Sequence, residues 1–440
     1  MIKMSRRDFV KSVAIFSSLS FVPNTVFGAN DRLNVAFVGV GGKGSHALQC
    51  LDGNKHLNMV AFADVDDQKA SGAVKKYPTV PIYRDFRVML DKHDKDIDAV
   101  IISTPDHTHH YIAMKCMERG KHVYLEKPLA HNISEVRDLI AAEKKYGLAC
   151  QMGNQGHSGM GIAMVRKWVD EGVLGDISEV RAWTGAAWGW GGIKRPAVQP
   201  VPGTLDWDKW LGPAAKVDYN RAYCPASWRG WNEFGNGSIG DWACHNMDAP
   251  YDALGLDCPS EVKIESTGPS KLSFPESVKL TYTFPATEKR GKIILKWYDG
   301  NKFQPERPES MDPKLKMGND SGGTIIVGSK ATLMTGTHAG PPRIVPLTQH
   351  REMNKAGALP KIQFSQSNHF NNWLLACKGQ EKCRSNFAYG GRLTETMMWG
   401  LIAMRVNRDL KIDPVKRTII GDEEAAKYMS WPQPRKGWEL

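Results

Sequence analysis

Among the eight cysteines, at 50, 116, 150, 224, 244, 258, 377 and 383, there is no C-x-x-C pair and no zinc-finger spacing. That excludes a thioredoxin-type redox motif and a structural zinc site. Clustered positive charge is also missing. The chain carries +11 at pH 7, but the excess is scattered, and without basic blocks interleaved with aromatics it offers no groove for nucleic acid. Past the first stretch of chain, no apolar run approaches the roughly 18 residues a membrane span requires. There is no repeat of fixed period, no heptad array and no low-complexity tract. What remains, 440 residues with 41% hydrophobic and 24% charged side chains, reads as a globular chain of about two or three domains.

The beginning of the chain is distinctive. Ser5-Arg6-Arg7-Asp8-Phe9-Val10-Lys11 resembles the twin-arginine export motif, and the moderately apolar "SVAIFSSLSFVPNTVFGA" follows, ending in small residues at Gly28 and Ala29. Residues 1–29 are therefore expected to be a cleaved signal, which places the mature protein in the periplasm with no membrane span. No cysteine near the cleavage point suggests a lipid anchor. Most thiols read as buried, and one disulfide, Cys377 with Cys383 or Cys224 with Cys258, stays open in such a compartment.

"LNVAFVGVGGKGSHALQCL" reads as strand, glycine turn and helix. Gly39, Gly41 and Gly44 satisfy G-x-G-x-x-G, with Gly42 beside them. The first glycine serves the tight turn, the second a close approach to a pyrophosphate, and the third helix packing. The helix N-terminus then offers N–H groups and its dipole to phosphates. A second apolar strand, "NMVAFAD", ends at Asp64, twenty residues beyond Gly44, where a carboxylate meets the hydroxyls of an adenosine ribose. It also repels a 2′-phosphate, and no arginine follows it, so NAD is expected rather than NADP. Strands and helices go on alternating through "DAVIIST", "KHVYLE" and "LACQMG", which specifies a doubly wound parallel sheet. The carboxyl ends of its strands carry Thr104-Pro105, Glu126-Lys127-Pro128 and Asn154-Gln155.

"STPDHTHHYIAMKCMERGKHVYLEKPLA" resembles the signature of the Gfo/Idh/MocA family of oxidoreductases, the glucose-fructose oxidoreductase or inositol dehydrogenase family, and the likeness extends over residues 31–440. The resemblance implies an α/β chain: a Rossmann domain, here residues 30–153, followed by an α+β domain, residues 154–440, whose open, mostly antiparallel sheet forms the substrate pocket. It further implies a homo-oligomer, a dimer or tetramer. Carried over by motif, Lys127 is the lysine of E-K-P, and "GDWACHNMD" supplies the D-x-x-x-H pair, Asp241 and His245, these three being the expected catalytic residues. Thr104, Pro105 and His109 match T-P-x-x-x-H around the cofactor, joined there by Glu126 and Asn154.

The residue chemistry agrees with that assignment. Asp241 and His245, four apart, share one helix face. A neutral histidine suits removal of the hydroxyl proton as hydride leaves, while Lys127 steadies developing oxyanion charge. Cys244, between them, lacks a partner base. No metal is expected: His109 and His110 diverge on a helix, and His157, Asp241, His245 and Asp248 are the remaining candidates considered for a cation.

Eight of the fourteen tryptophans fall between 183 and 242, in stretches dense in glycine and proline. These read as long loops whose indoles face a carbohydrate, with Gln155, His157, Trp228, Arg229 and Trp231 added to the catalytic residues as substrate contacts. The expected enzyme is an NAD(P)-dependent dehydrogenase acting on a secondary hydroxyl of a sugar or glycoside, at C3, with tightly bound NAD recycled in place because free NAD is scarce outside the cytoplasm. The alternatives are a redox-neutral glycosidase working by oxidation, elimination and reduction, and a non-catalytic sugar-binding module.

Overall fold

The computed structural model describes residues 32–440 except 269, 270 and 365. The expected signal, with its twin-arginine motif, lies outside the described residues.

Two sheets organise the chain. The first has six strands, all parallel, in the order β3-β2-β1-β4-β5-β6: β1 (Leu33–Val38), β2 (Leu57–Ala63), β3 (Ile82–Tyr83), β4 (Ala99–Ile102), β5 (His122–Leu125) and β6 (Cys150–Met152). Its central strands are nearly continuous apolar runs because helices cover both faces. Local chemistry sets the helix ends. Asp66, Asp85 and Asn132 cap the helices Asp67–Lys76, Phe86–His93 and Ile133–Tyr146 through their side-chain oxygens, and Gly147, left-handed at φ +63°, stops the last of these. The strand order reverses between β1 and β4, the crevice where dinucleotides bind in this topology.

The second sheet has nine strands, from β7 (Ile177–Thr184) through β8 (Glu261–Ser266), β9 (Val278–Phe284), β10 (Ile293–Asp299), β11 (Gly322–Gly328), β12 (Thr332–Gly336) and β13 (Arg343–Val345) to β14 (Leu410–Asp413) and β15 (Thr418–Ile419). Only the β7–β10 pairing is parallel; the others run antiparallel. Alternation is visible in β9, where Val278, Leu280, Tyr282 and Phe284 are buried and the residues between them are half-buried. The helix Phe387–Val406 joins the two sheets. A side chain at Gly390 would collide with Met152 of β6, and one at Gly400 would meet the Tyr282 hydroxyl of β9 at 2.1 Å.

All eight cysteines carry free thiols. Cys224 and Cys258 lie in different apolar clusters, and burial pushes the thiols of both up to about 12. Among the described residues no helix is long and apolar enough to cross a membrane.

Candidate active site

A cleft of about 490 Å³ opens at the carboxyl ends of β1, β2, β4 and β5 and is closed opposite by helix Gly237–Asn246 and the turn at His338. Its volume suits a cofactor or a small ligand.

The glycine turn forms one wall. Gly39 sits at φ +79°, where a β-carbon would strike the Ser103 carbonyl oxygen at 2.8 Å, and one at Gly44 would lie 1.9 Å from the Gly39 carbonyl oxygen. The helix therefore starts against the turn with no room for a side chain. Gly42 is also left-handed, at φ +50°. Asp64 ties this turn to β2: Oδ2 accepts from the amides of Val40 at 2.9 Å and Gly41 at 3.2 Å, and Oδ1 from that of Asp66 at 3.0 Å. Burial raises the Asp64 carboxyl above its usual range against the pull of those three amides.

Thr104 and Pro105 line the cleft, whereas His109 lies behind it. The buried His109 ring sits 2.8 Å from the Pro128 carbonyl oxygen through Nδ1 and 2.9 Å from that of Thr104 through Nε2. It braces the two loops that carry Thr104 and Lys127. Glu126 lines the cleft, with Oε1 held by Gln155 Nε2 at 2.8 Å. Its Oε2 is buried with no hydrogen-bond partner, and burial raises its pKa.

Opposite the glycine turn, four charges alternate. Lys127 Nζ donates to Asp241 Oδ1 at 2.6 Å and to the Asp241 carbonyl oxygen at 2.7 Å. Arg229 reaches Asp241 Oδ1 at 3.3 Å through Nε and Asp106 Oδ1 at 3.1 Å through Nη1, with its guanidinium stacked 4.2 Å over Trp228. Trp188 Nε1 donates to Asp241 Oδ2 at 3.0 Å. Burial alone would push the Asp241 carboxyl up, but Lys127 and then Arg229 outweigh it and hold it at about 2. Asp106 has only Arg229 and the Asn236 amide for partners, so burial dominates and raises it to about 6.

The local sequence explains how Asp241 arrives there. Asn236, just before the helix, donates through Nδ2 to the Ala130 carbonyl at 3.0 Å and through its amide to Asp106 Oδ2 at 3.1 Å. The helix start is thereby fixed to the loop after Lys127. One turn beyond Asp241, His245 lines the same cleft, buried, with Nδ1 unpartnered. Burial, reinforced by Lys127 and His338, pushes its imidazole well below the ordinary value, so the ring is neutral near pH 7.

Four expected contacts lie elsewhere, Gln155 among them: it is absent from the cleft wall and donates to the Tyr124 hydroxyl at 2.9 Å as well as to Glu126. His157 is buried, bonded through Nδ1 to Asp248 Oδ1 at 2.9 Å, and Asn154 donates to the other oxygen of that carboxylate at 2.9 Å. Both serve an internal network that Tyr389 completes by donating to Asp248 Oδ1 at 2.6 Å. Trp231 is packed into an aromatic cluster with Tyr223 at 4.6 Å and Trp190 at 5.7 Å. The tryptophan stretch is thus divided: Trp210, Trp228 and Trp242 reach the cleft, while Trp183 and Trp231 fill cores.

Several cleft residues escaped the sequence reading, Asp106 and His338 among them. Asp106 is adjacent to the recognised Thr104-Pro105, and its burial at a strand end was the available signal. His338, whose ring lies 4.0 Å from that of His245, sits in the left-handed region at φ 59°, a conformation nothing in "GTHAG" announces. Close approach of Gly156 holds it, since a β-carbon there would lie 3.0 Å from His338 Cβ.

Residues 33–154 match the family model described as "Oxidoreductase family, NAD-binding Rossmann fold", and residues 158–307 match "Oxidoreductase family, C-terminal alpha/beta domain". Levoglucosan dehydrogenase of Pseudarthrobacter phenanthrenivorans is 28% identical over 190 residues, 42% of this chain and 40% of that protein. A glycosyl hydrolase family 109 protein of Shewanella pealeana is 28% identical over 208 residues, 40% of this chain and 44% of that protein. The chain thus spans less than half the length of these relatives. The WlbA dehydrogenase of Bordetella pertussis, solved with NADH and UDP-GlcNAcA, superposes with a TM-score of 0.60 at 16% identity, covering 87% of this chain and 99% of that one, which establishes the shared fold.

Proposed function

The chain belongs to the Gfo/Idh/MocA oxidoreductase family, and on that premise we propose that it oxidises a secondary hydroxyl of a sugar or glycoside, at C3, with an NAD that stays bound and is recycled in place. The observation carrying this reading is the neutral His245, its Nδ1 unpartnered, one helical turn from an Asp241 already paired to Lys127.

The residues present fit the dinucleotide. Gly39 and Gly44 leave a cradle that β-carbons would fill. Ser103 Oγ and Glu126 Oε2, both on cleft-lining residues, are buried polar atoms without partners. Gly39, Gly41 and Gly42 would hold the pyrophosphate, Asp64 the adenosine ribose, and Thr104, Pro105 and Glu126 the nicotinamide half. Bound there, NAD supplies a hydride acceptor and later donates that hydride back.

The chain's own residues supply the rest. His245 takes the hydroxyl proton. The Lys127 ammonium, held by Asp241 through two of its N–H groups, offers its third to the oxygen on which negative charge develops, in a site where burial strengthens the interaction. Arg229 fixes Asp241 from the other side, so the carboxylate stays ionised and Lys127 keeps its direction. Trp228 and Trp242 supply apolar faces for the ring C–H groups, and Gln155 holds Glu126. Export from the cytoplasm and assembly as a dimer or tetramer are part of the same proposal, the first giving the reason for a cofactor that never leaves.

The likeness to glycosyl hydrolase family 109 proteins favours a second reading, in which transient C3 oxidation acidifies the C2 hydrogen, loss of that proton expels the aglycone, water adds to C1 and a proton to C2 of the resulting enone, and re-reduction at C3 closes the cycle. Incubation with a p-nitrophenyl glycoside, without added NAD, separates the two. A 3-keto product supports the dehydrogenase; sustained release of p-nitrophenol and of sugar at unchanged oxidation state supports the glycosidase. Absence of both contradicts the proposal.

A further inference from the structure

Trp438 is far in sequence from the glycine turn and from the catalytic residues, yet it is buried, 8% exposed, and forms part of the cleft wall. Its neighbours show which part. β2 and β3 lie on one side of the glycine turn, β4 and β5 on the other. Trp438 packs where the helices that follow β3 and β4, Phe86–His93 and His109–Met117, meet. The Arg87 guanidinium, just past β3, covers its ring at 4.5 Å, and Tyr111 packs against it at 4.9 Å, with Phe86 in turn 6.1 Å from Tyr111. Phe86 and Arg87 begin the helix just past β3, and the Asp64 amide donates to the Tyr83 carbonyl of β3 at 2.9 Å, which ties this part of the wall to the ribose-binding position.

The segment leading to Trp438 is held firmly. Arg405, half-buried, stacks under Trp431 at 4.3 Å. Arg435 donates to the Gly212 carbonyl at 2.6 Å through Nε and to Asp208 Oδ1 and its carbonyl oxygen, both at 2.7 Å, through its two terminal nitrogens. The Arg435 amide reaches the Pro213 carbonyl at 2.9 Å, and the Trp438 amide returns to Arg435 at 3.1 Å. Residues 431–438 thus run as a strap from Arg405 past the end of helix Trp207–Leu211 to the cleft wall, where the Trp438 ring lies beside Gly212 and Trp210 also contributes. In an open parallel sheet, the adenosine end of a bound dinucleotide otherwise faces solvent past the strand ends. An indole fixed there offers a face for a purine and excludes water from it.

We propose that residues 431–438 are a retention strap: Trp438 closes the adenosine end of the nucleotide cleft, and the nucleotide stays bound between turnovers because this half cannot leave. The inference rests on the reading of the cleft as an NAD site but is independent of the sugar. Affinity differences of this kind appear mainly as release rates, so Trp438→Ala should shed NAD faster.

The experiment compares ADP-ribose, the adenosine half, with nicotinamide mononucleotide on the full chain stripped of nucleotide. Trp438→Ala should weaken ADP-ribose tenfold or more and leave nicotinamide mononucleotide within twofold, while Trp438→Phe restores ADP-ribose binding to within threefold of wild type. Arg435→Ala, which removes the strap's anchor at Gly212 and Asp208 together with the guanidinium 5.7 Å over the indole, should act in the same selective direction and carries the test if Trp438→Ala does not fold. Equal weakening of both probes, or no change in ADP-ribose, overturns the strap. Failure of the wild type to bind either probe contradicts the nucleotide reading itself, a different result.

Discussion

The Lys127 ammonium is bound twice by one residue, to the Asp241 carboxylate at 2.6 Å and to the Asp241 main-chain carbonyl at 2.7 Å. A lysine so directed cannot wander, and a carboxylate so paired stays charged. The pair comes from distant elements, the loop after β5 and the helix Gly237–Asn246, and the Asn236 contacts to Ala130 and Asp106 hold the two together.

Ionisation of that pair makes the fold's stability sensitive to acid. The Asp241 carboxyl lies at about 2 in the folded chain, against 3.8 for an ordinary aspartate. A depressed carboxylate adds stability that is full above the unfolded value and is lost as pH falls through the folded one. The contribution is about 2 kcal/mol. Urea unfolding from pH 5 down to pH 2 should show this loss in the wild type, and Lys127→Met, which removes the largest stabilising partner, should shrink it. An unchanged slope in the variant contradicts the pairing.

Arg229 also stands between two carboxylates, and Asp106 is the one with less to fall back on. Arg229→Met leaves Asp106 buried with the Asn236 amide but no cation bonded to it, which costs about 3 kcal/mol. Adding Asp106→Asn should recover a substantial part. A double-mutant cycle by urea unfolding measures the recovery, and strict additivity of the two changes would count against the ion pair.

For His157 the expected role was substrate binding, and the structure gives it a different one. Burial alone would lower its imidazole, but Asp248 overrides that and raises it above 6.5. A raised histidine adds stability present below 6.5 and lost as pH climbs through its folded value. His157→Gln should therefore flatten the stability–pH curve above pH 6.5. Nucleotide binding by the folded variant should remain within twofold of wild type.

Much of this was legible in the sequence, for reasons that differ by element. The glycine turn and Asp64 were readable because a phosphate cradle demands glycines at fixed spacing, and the spacing is local. Asp241 and His245 were readable because helical periodicity puts residues four apart on one face. His157 and Trp231 were misplaced because side-chain chemistry does not tell which wall of a loop a residue faces: Asp248 claimed one, and the cluster around Tyr223 the other. His338 and Trp438 reach the cleft through long-range packing, one on a turn held by Gly156, the other on a strap anchored at Gly212, and no local pattern marks either.

His245 is the proposed proton acceptor, so His245→Ala should slow reduction of the bound nucleotide by about 10²–10⁴-fold while leaving nucleotide content unchanged. Stopped-flow absorbance and mass spectrometry of the denatured protein read the two quantities separately. Loss of nucleotide in parallel with rate would assign His245 to binding instead.

The most direct measurement uses freshly purified full-length protein with no nucleotide added, mixed with a panel of glycosides and followed at 340 nm. The account predicts a single rise with at least one glycoside, bounded by one reduced nucleotide per chain, and a flat trace for Lys127→Ala carrying the same nucleotide. No rise with any glycoside unless NAD is supplied, or an undiminished rise in Lys127→Ala, would contradict it.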